Sequence, residues 1–219
     1  TINPITKISN LAKKHRLIFH TDAVQAMGKV KLDMQKVNID LMSLSGHKFY
    51  APKGIGVLYI KDGTILGPTL FGGGQESNLF PGTENVINIG AIGLASKICT
   101  DNIEKNISKI KELDDYFIGL LDNSSINYSI NGEARIPGII NISFLNTKST
   151  SFIINLDKKG FAISAGSACA SGSSTGSHTL RELGISDELM SKSYRISFGK
   201  FHSKKDIKNL FELIKENVS

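Results

Sequence analysis

The chain alternates an amphipathic helix pattern with short apolar strand patterns, and this alternation limits the folds open to it. Apolar residues at helical spacing predict a helix over residues 4–16. Apolar runs at 17–20 and 39–44 then predict two buried strands, and a run at 54–60 predicts a third. Strands and helices that alternate in this way are typical of an α/β fold.

The remainder of the chain shows a similar mixture of patterns. Residues 61–85 form a connection rich in glycine and proline, and a helical pattern follows from Val86 onward. The further predicted elements are strands at 139–144, 161–164 and 194–198, helices near 150–157 and 178–192, and a last helix that a capping box at 203–206 opens. We place a domain boundary near residue 98, so that the predicted domains are 1–98 and 99–219.

Composition excludes several classes of function. The net charge is +6, but the lysines are dispersed in pairs without interleaved aromatic residues, so we expect an acidic partner rather than nucleic acid. The five histidines lack the spacing of a metal site, and no apolar run is long enough to cross a membrane. Two cysteines without a C-x-x-C motif favour a reducing compartment, the cytoplasm. Because the chain begins at Thr1 rather than Met, we expect it to belong to a longer protein.

Two side chains are predicted to meet at one edge of the sheet. Asp22 follows the strand at 17–20 and Lys48 follows the strand at 39–44, and ligands of open α/β sheets gather at the carboxyl ends of parallel strands. A deprotonated lysine can form an imine with an aldehyde, and a carboxylate can keep a pyridinium nitrogen protonated. Taken singly, Asp22 could instead cap a helix, and Lys48 could be a surface charge. Taken together, the two residues favour pyridoxal phosphate (PLP) as cofactor.

Three neighbours of this pair could complete the cofactor contacts. The amide of Gln25 could donate to the phenolic oxygen of the ring. The hydroxyl of Ser45 and the imidazole of His47 could donate to the cofactor phosphate.

The two cysteines lie in different settings. Cys99 stands inside a helical apolar run, which is typical of a buried cysteine. Cys169 is surrounded by glycine and serine, which predicts a mobile loop whose thiolate can approach a substrate and then withdraw. Arg195, in a predicted strand, is either a surface residue or a bidentate clamp for an amino-acid carboxylate.

Eight sequence blocks carry these residues and run in one order along the chain. The blocks are 20–25 (HTDAVQ), 40–48 (DLMSLSGHK), 52–59 (PKGIGVLY), 72–76 (GGGQE), 82–86 (GTENV), 137–143 (PGIINIS), 164–169 (SAGSAC) and 195–199 (RISFG). In content and order they resemble the cysteine desulfurases of the NifS/IscS type, a branch of the class V aminotransferases. The GSAC form and the loop around it are similar to this branch rather than to the one with a short cysteine loop.

The resemblance implies a fold-type-I PLP-dependent transferase. Residues 1–98 would be the C-terminal part of the large α/β domain, and 99–219 the small α+β domain with the cysteine loop. The resemblance implies that Lys48 attaches the cofactor covalently, that Asp22 pairs with its pyridinium nitrogen and that Gln25 donates to its ring oxygen. It implies phosphate binding by Ser45 and His47, and a contact of Thr83 with the cofactor phosphate of the other subunit in a homodimer. It also implies that Cys169 carries the persulfide and that Arg195 binds the substrate carboxylate.

The implied reaction converts L-cysteine to L-alanine and passes the sulfur to an acceptor, either an iron–sulfur scaffold or a tRNA-thiolation protein. Family members are longer, and their N-terminal portion supplies further cofactor contacts. The run at 77–81 also lacks the arginines usual before Gly82. Three alternatives stay open: another class V PLP enzyme (a selenocysteine lyase or an aminotransferase), an inactive fragment that acts as a docking module for the sulfur acceptor, and one half of a split enzyme.

Overall fold

A computed structural model of the chain describes residues 1–147, 149–165 and 177–218, with the side chains of 149 and 150 left out. These residues form two compact units. One comprises Asn3–Lys105, and the other comprises Thr1–Ile2 together with Asn106–Ser219. The division falls at residue 105, within a helix, whereas the sequence prediction places the boundary near residue 98.

The unit Asn3–Lys105 is built around a sheet of three strands. Its elements are α1 (Ile5–Lys14), β1 (His20–Asp22), β2 (Leu41–Ser45), β3 (Gly56–Ile60), the short α2 (Gln75–Asn78) and α3 (Val86–Asp101). The strand order is β1-β2-β3, with β1 parallel and β3 antiparallel to β2. Two small apolar clusters stabilise this unit, one around Ile39 and Met42 and one around Phe49 and Cys99.

The first predicted helix is confirmed, but the strand predicted at 17–20 is wrong in its position. Sheet pairing begins only at His20 and continues to Asp22. Leu17 and Ile18 are 61% and 67% exposed, so their apolar character does not reflect burial in a sheet. Asp22 is therefore the last residue of β1 rather than a residue beyond its end.

The second unit contains a sheet of four antiparallel strands in the order β4-β5-β7-β6. Its elements are α4 (Ile103–Asp122, which begins in the first unit), β4 (Tyr128–Ile130), β5 (Ile139–Phe144), α5 (Ser149–Lys158), β6 (Ser164–Ala165), α6 (His178–Glu182), α7 (Asp187–Ser191), β7 (Ser193–Ser197) and α8 (Lys204–Val218). Side chains of α4, α5, α8 and the sheet form one large apolar cluster. Within it, the Phe152 ring lies 4.6 Å from Tyr194 and the Phe117 ring 5.5 Å from Phe198.

The predictions for this unit are confirmed in part. The strand at 139–144 is confirmed, and the capping box at Ser203 is present, because Asp206 Oδ2 accepts a hydrogen bond from the Ser203 amide at 2.8 Å. The strand predicted at 161–164 is only two residues long, and β4 was not predicted. The helix predicted at 178–192 is broken, because Gly184 takes a φ of 76° after α6 and Ser186 then caps α7.

No helix of the described residues is both long and apolar enough to span a bilayer.

Candidate active site

One face of the first sheet carries polar side chains, and the opposite face packs on the apolar core. Partners across a parallel ladder share a face, and the pairing Asp22↔Ser43 therefore puts these two side chains on the same side of the sheet. His20 and Ser45 lie two residues away along their strands and share that side. The intervening Met42 is buried in the core. Parallel pairing of β1 with β2 thus collects hydroxyl, carboxylate and imidazole groups in one place.

Asp22 makes a local hydrogen bond and keeps acceptor capacity. Its Oδ1 accepts from the backbone N–H of Val24 at 2.9 Å, which stabilises the turn that follows β1. Within the described part of the chain, no donor contacts Oδ2. The alternative in which Asp22 caps a helix is wrong, because turns and not a helix occupy residues 24–29. Asp22 stabilises a turn instead, and its Oδ2 remains for another partner.

The turn that carries Lys48 is fixed by its neighbours. A 3₁₀ helix, Gly46–Phe49, follows β2 directly. A Cβ at Gly46 would lie 2.9 Å from the Cγ2 of Ile55, so this tight turn requires glycine. Phe49 is only 1% exposed and anchors the end of the turn, and the thiol of Cys99 donates to its carbonyl oxygen at 3.4 Å. Lys48 thus projects from a rigid turn between a strand and a buried ring.

Ser45 and His47 contact one another on this turn. The Oγ of Ser45 lies 3.0 Å from the Nδ1 of His47. This contact favours an orientation in which the other ring nitrogen of His47, which is exposed, can interact with a ligand. Lys48 itself is partly buried, and its Nζ contacts no acceptor among the residues that the structure describes.

Lys29 is a residue of the site that sequence reasoning missed. Its Nζ donates to the Oε1 of Gln25 at 2.7 Å and to the carbonyl oxygen of Lys48 at 3.4 Å. Burial, and next the positive charge of Lys48, lower the pKa of Lys29, and Cys99 opposes this. The available sequence signal was the i, i+4 spacing of Gln25 and Lys29, and consecutive turns over residues 24–29 bring the two side chains together without forming a helix.

A second pair also escaped sequence reasoning. The Nε2 of His20 lies 2.8 Å from the Oγ of Ser43 and bridges β1 and β2 on the polar face. Alternation along the two strands would have placed both residues on the face of Asp22, had the strand boundaries been correct.

The other predicted site residues do not belong to the sheet β1-β2-β3. Thr83 is exposed in the connection between α2 and α3, and no described contact links it to Asp22 or Lys48. Arg195 belongs to the second unit, where it lies on β7 and its Nη2 donates to the Oγ of Ser164 at 3.0 Å. Cys169 lies outside the described residues. The structure therefore brings together Asp22, Gln25, Ser45, His47 and Lys48 within one unit.

Comparison with known proteins identifies the class to which this fold and this set of residues belong. The model of the family described as aminotransferase class-V matches residues 1–210, and the chain belongs to this family. The solved structure of a NifS-like protein from Rickettsia africae superimposes with a TM-score of 0.87 at 32% identity, over 97% of this chain and 56% of that one. The predicted α/β fold of the fold-type-I class is confirmed.

Curated relatives define the branch more closely. The cysteine desulfurase IscS of Dictyoglomus turgidum is 38% identical over 220 residues, which are 100% of this chain and 56% of the relative. The cysteine desulfurase IscS of Methanosarcina thermophila is 40% identical over 219 residues, which are 100% of this chain and 54% of the relative. The predicted resemblance to the cysteine desulfurases is confirmed, and the chain spans about half the length of the curated relatives it matches.

Proposed function

We propose that this chain is part of a PLP-dependent cysteine desulfurase, which converts L-cysteine to L-alanine and passes the sulfur to an acceptor protein. The observation that carries the proposal is the parallel pairing of β1 with β2, which sets Asp22 beside the strand that leads to Lys48. The names of the relatives support this reaction, and a further solved structure, SspA in complex with cysteine, superimposes with a TM-score of 0.73 at 33% identity, over 93% of this chain and 56% of that one.

The residues on the polar face fit the chemical groups of PLP. Asp22 Oδ2 is an acceptor without a described donor, and it suits the protonated ring nitrogen. The Nε2 of Gln25 has no described acceptor, and it suits a ring oxygen. The Oγ of Ser45 and the Nδ1 of His47 share one hydrogen, so with a neutral imidazole one donor of this pair, either the Ser45 O–H or the His47 Nε2–H, remains for the phosphate. The amine of Lys48, which has no described partner, suits the aldehyde.

The roles of these residues follow from their chemistry. Bound PLP supplies an electron sink for the carbanion that forms at the substrate Cα. Lys48 would hold the cofactor through its amine. Once the amino group of the substrate has replaced it there, the freed Lys48 amine would serve as the base that removes the Cα proton. Asp22 keeps the ring nitrogen protonated, and the rigid turn at Gly46 and Phe49 holds the Lys48 amine in position.

Sulfur transfer rests on residues whose role is carried over from the sequence resemblance. The thiolate of Cys169 would form a bond to the substrate sulfur as the Cβ–S bond breaks, with the electron pair of that bond remaining on the carbon side. Protonation of Cβ and return of the Cα proton would then give L-alanine, and the substrate sulfur would stay on Cys169 as a persulfide. Arg195 binds the substrate carboxylate, and Thr83 contacts the cofactor phosphate of the other subunit in a homodimer. The acceptor is an iron–sulfur scaffold or a tRNA-thiolation protein.

The same proposal assigns the parts of the chain. Residues 1–98 form the C-terminal part of the large PLP-binding domain, and residues 99–219 form the small domain that carries Cys169. The reduced state that the Cys169 thiol requires favours the cytoplasm.

Attachment of the cofactor is the first test. The protein, purified at its native length, is reduced with borohydride and its peptides are mapped by mass spectrometry. We expect a reduced pyridoxyl group on Lys48. Lys48→Ala should abolish the adduct, whereas Lys53→Ala, which removes an exposed lysine from the same loop, should retain it. Absence of any adduct from the native protein would refute PLP binding and favour a docking role.

Cys169 separates a desulfurase from other class V PLP enzymes. Cys169→Ser should abolish the protein persulfide and the formation of alanine from L-cysteine. The matched control is Cys99→Ser, the same substitution at the only other cysteine of the sequence, which keeps a donor for the Phe49 carbonyl and should retain both. Normal release of alanine and sulfide by Cys169→Ser would instead favour a selenocysteine lyase or an aminotransferase.

A further inference from the structure

Lys29 lies between two residues of the proposed cofactor site. It is partly buried, and its ammonium bridges the side chain of Gln25 and the main chain of Lys48, at 2.7 Å and 3.4 Å. A half-buried lysine most often extends its charged group into water. Here the ammonium instead contacts the side chain of Gln25, three residues after Asp22, and the turn that carries Lys48.

The chain is shaped so that Lys29 reaches this position. Gly28, immediately before it, takes a φ of +72°, and a Cβ at Gly28 would lie 3.2 Å from both the Cβ and the Sγ of Cys99. Only glycine accommodates both the left-handed backbone and this close approach. Lys29 follows this glycine directly in the chain.

The contact with Lys29 determines which end of the Gln25 amide faces outward. An ammonium group has three donors and no acceptor, so only the carbonyl end of an amide can face it. Oε1 is therefore held by Lys29 at 2.7 Å, and Nε2 is the end presented to a ligand. Without Lys29, either end of the amide could face the ligand with little difference in energy.

The charge of Lys29 is also uncompensated within the site. No carboxylate forms an ion pair with Lys29 in the part of the chain that the structure describes, and burial lowers its pKa. Lys31, two residues later, differs in both respects, because it is exposed and pairs with Glu104. An anionic oxygen bound by Gln25 would offset the cost of burying the Lys29 charge, since the amide between them is polarised in the favourable direction.

We propose that Lys29 is a positioning residue, which fixes the amide of Gln25 as a hydrogen-bond donor to an anionic ring oxygen of the cofactor and ties this amide to the turn that carries Lys48. This inference rests on the proposed function, because it assumes that the bound ligand is PLP. It adds a residue that acts through Gln25 and not through direct contact with the cofactor.

The test is a double-mutant cycle in the native-length protein, with PLP as the probe. Lys29→Met keeps the length of the side chain and removes its donors, and Gln25→Met removes the amide. The dissociation constant for PLP is measured by absorbance titration of cofactor-free protein, together with the spectrum of the bound cofactor and the melting temperature. We expect Lys29→Met to weaken PLP binding about tenfold, the loss of one charge-assisted hydrogen bond. In the Gln25→Met background the same change should cost less than about twofold.

Three outcomes distinguish the possibilities. Lys29→Met and Gln25→Met should shift the absorption maximum of bound PLP alike. The variant Lys29→Arg should keep the native absorption maximum, because arginine keeps the charge and the donors. The control Lys31→Met should bind PLP as the native protein does. A lower melting temperature with an unchanged spectrum, or equal losses in both backgrounds, would overturn the positioning role while leaving PLP binding intact. Failure of the native protein to bind PLP would instead refute the proposed function, and this inference with it.

Discussion

The two units of the molecule use their buried residues differently. In the unit that begins at Asn106, helices and a four-stranded sheet share one large apolar cluster, in which Phe117 and Tyr194 are completely buried. In the unit Asn3–Lys105 the buried residues form two small clusters, and apolar residues of α3 remain on the surface, with Val86 and Ile87 72% and 85% exposed. The polar face of β1 and β2 belongs to the unit Asn3–Lys105, which has the smaller clusters.

The difference shows what each core accomplishes. The large cluster contributes mainly to stability, because it removes a large apolar area from water. The cluster around Phe49 buries little but holds the turn between β2 and β3, and hence Lys48. A small core beside a site can thus fix the position of a reactive group as well as contribute to stability.

A pair of matched truncations tests this contrast most strongly. The rings of Phe117 and Phe49 are 0% and 1% exposed, so Phe117→Ala and Phe49→Ala should each lower the free energy of unfolding by about 4 kcal/mol. Only Phe49→Ala should also weaken PLP binding, because Phe49 adjoins Lys48. Urea unfolding followed by circular dichroism measures the first effect, and absorbance titration with PLP measures the second. Equal loss of PLP binding in both variants, under conditions where both are folded, would break the comparison.

A buried ion pair in the larger core gives the next effect in size. Asp114 is 3% exposed and accepts from Arg135 Nη1 at 2.5 Å. Arg135→Met would leave the carboxylate buried without its counter-charge, and we expect a loss of about 3 kcal/mol at neutral pH. The measurement is urea unfolding. The double variant with Asp114→Asn should recover most of the loss, and a failure to recover would mean that the arginine acts through packing alone.

The pH dependence of this pair has a definite sign. Burial raises the pKa of Asp114, although the neighbouring Arg135 opposes the rise. Stability from such a group is present below the unfolded-state pKa of about 3.9 and is lost as the pH rises through the higher folded-state value. The penalty of Arg135→Met should therefore shrink as the pH falls towards 4. Asp114→Asn should lack this dependence.

The smallest expected effect concerns the cap of α8. Ser203→Ala removes a hydroxyl that accepts from the Asp206 amide at 3.3 Å, and we expect a loss of about 1 kcal/mol. Hydrogen bonds from the Ser203 side chain and backbone lower the pKa of Asp206. The stability that the Asp206 carboxylate contributes is therefore present above its unfolded-state pKa and is lost as the pH falls through its folded-state pKa. Thermal unfolding at several pH values measures this. Ser203→Thr keeps the hydroxyl and should behave as the native protein; an equal loss in both would exclude capping as the cause.

Sequence reasoning worked best where local chemistry decides the structure. The amphipathic spacing of α1, the β-branched run of β5 and the capping box of α8 each follow from interactions between near neighbours in the chain. It failed where an apolar run was not buried, as at Leu17 and Ile18, and where a helical pattern was interrupted at Gly184. At Leu17 and Ile18 the outcome depends on what packs against the segment, which a single sequence does not contain. At Gly184 the interruption is local, because a left-handed glycine ends α6 and Ser186 caps α7.

The same distinction applies to the site. The ordered blocks of the sequence determined the family and nominated Asp22 and Lys48, because residue type and spacing are properties of the chain itself. Only the tertiary structure decided that Lys29 holds Gln25 and the Lys48 turn, and that His20 pairs with Ser43. The reason is that hydrogen bonds and burial depend on distances between segments, and these distances are fixed by the parallel pairing of β1 with β2 and by the close approach of Gly28 to Cys99.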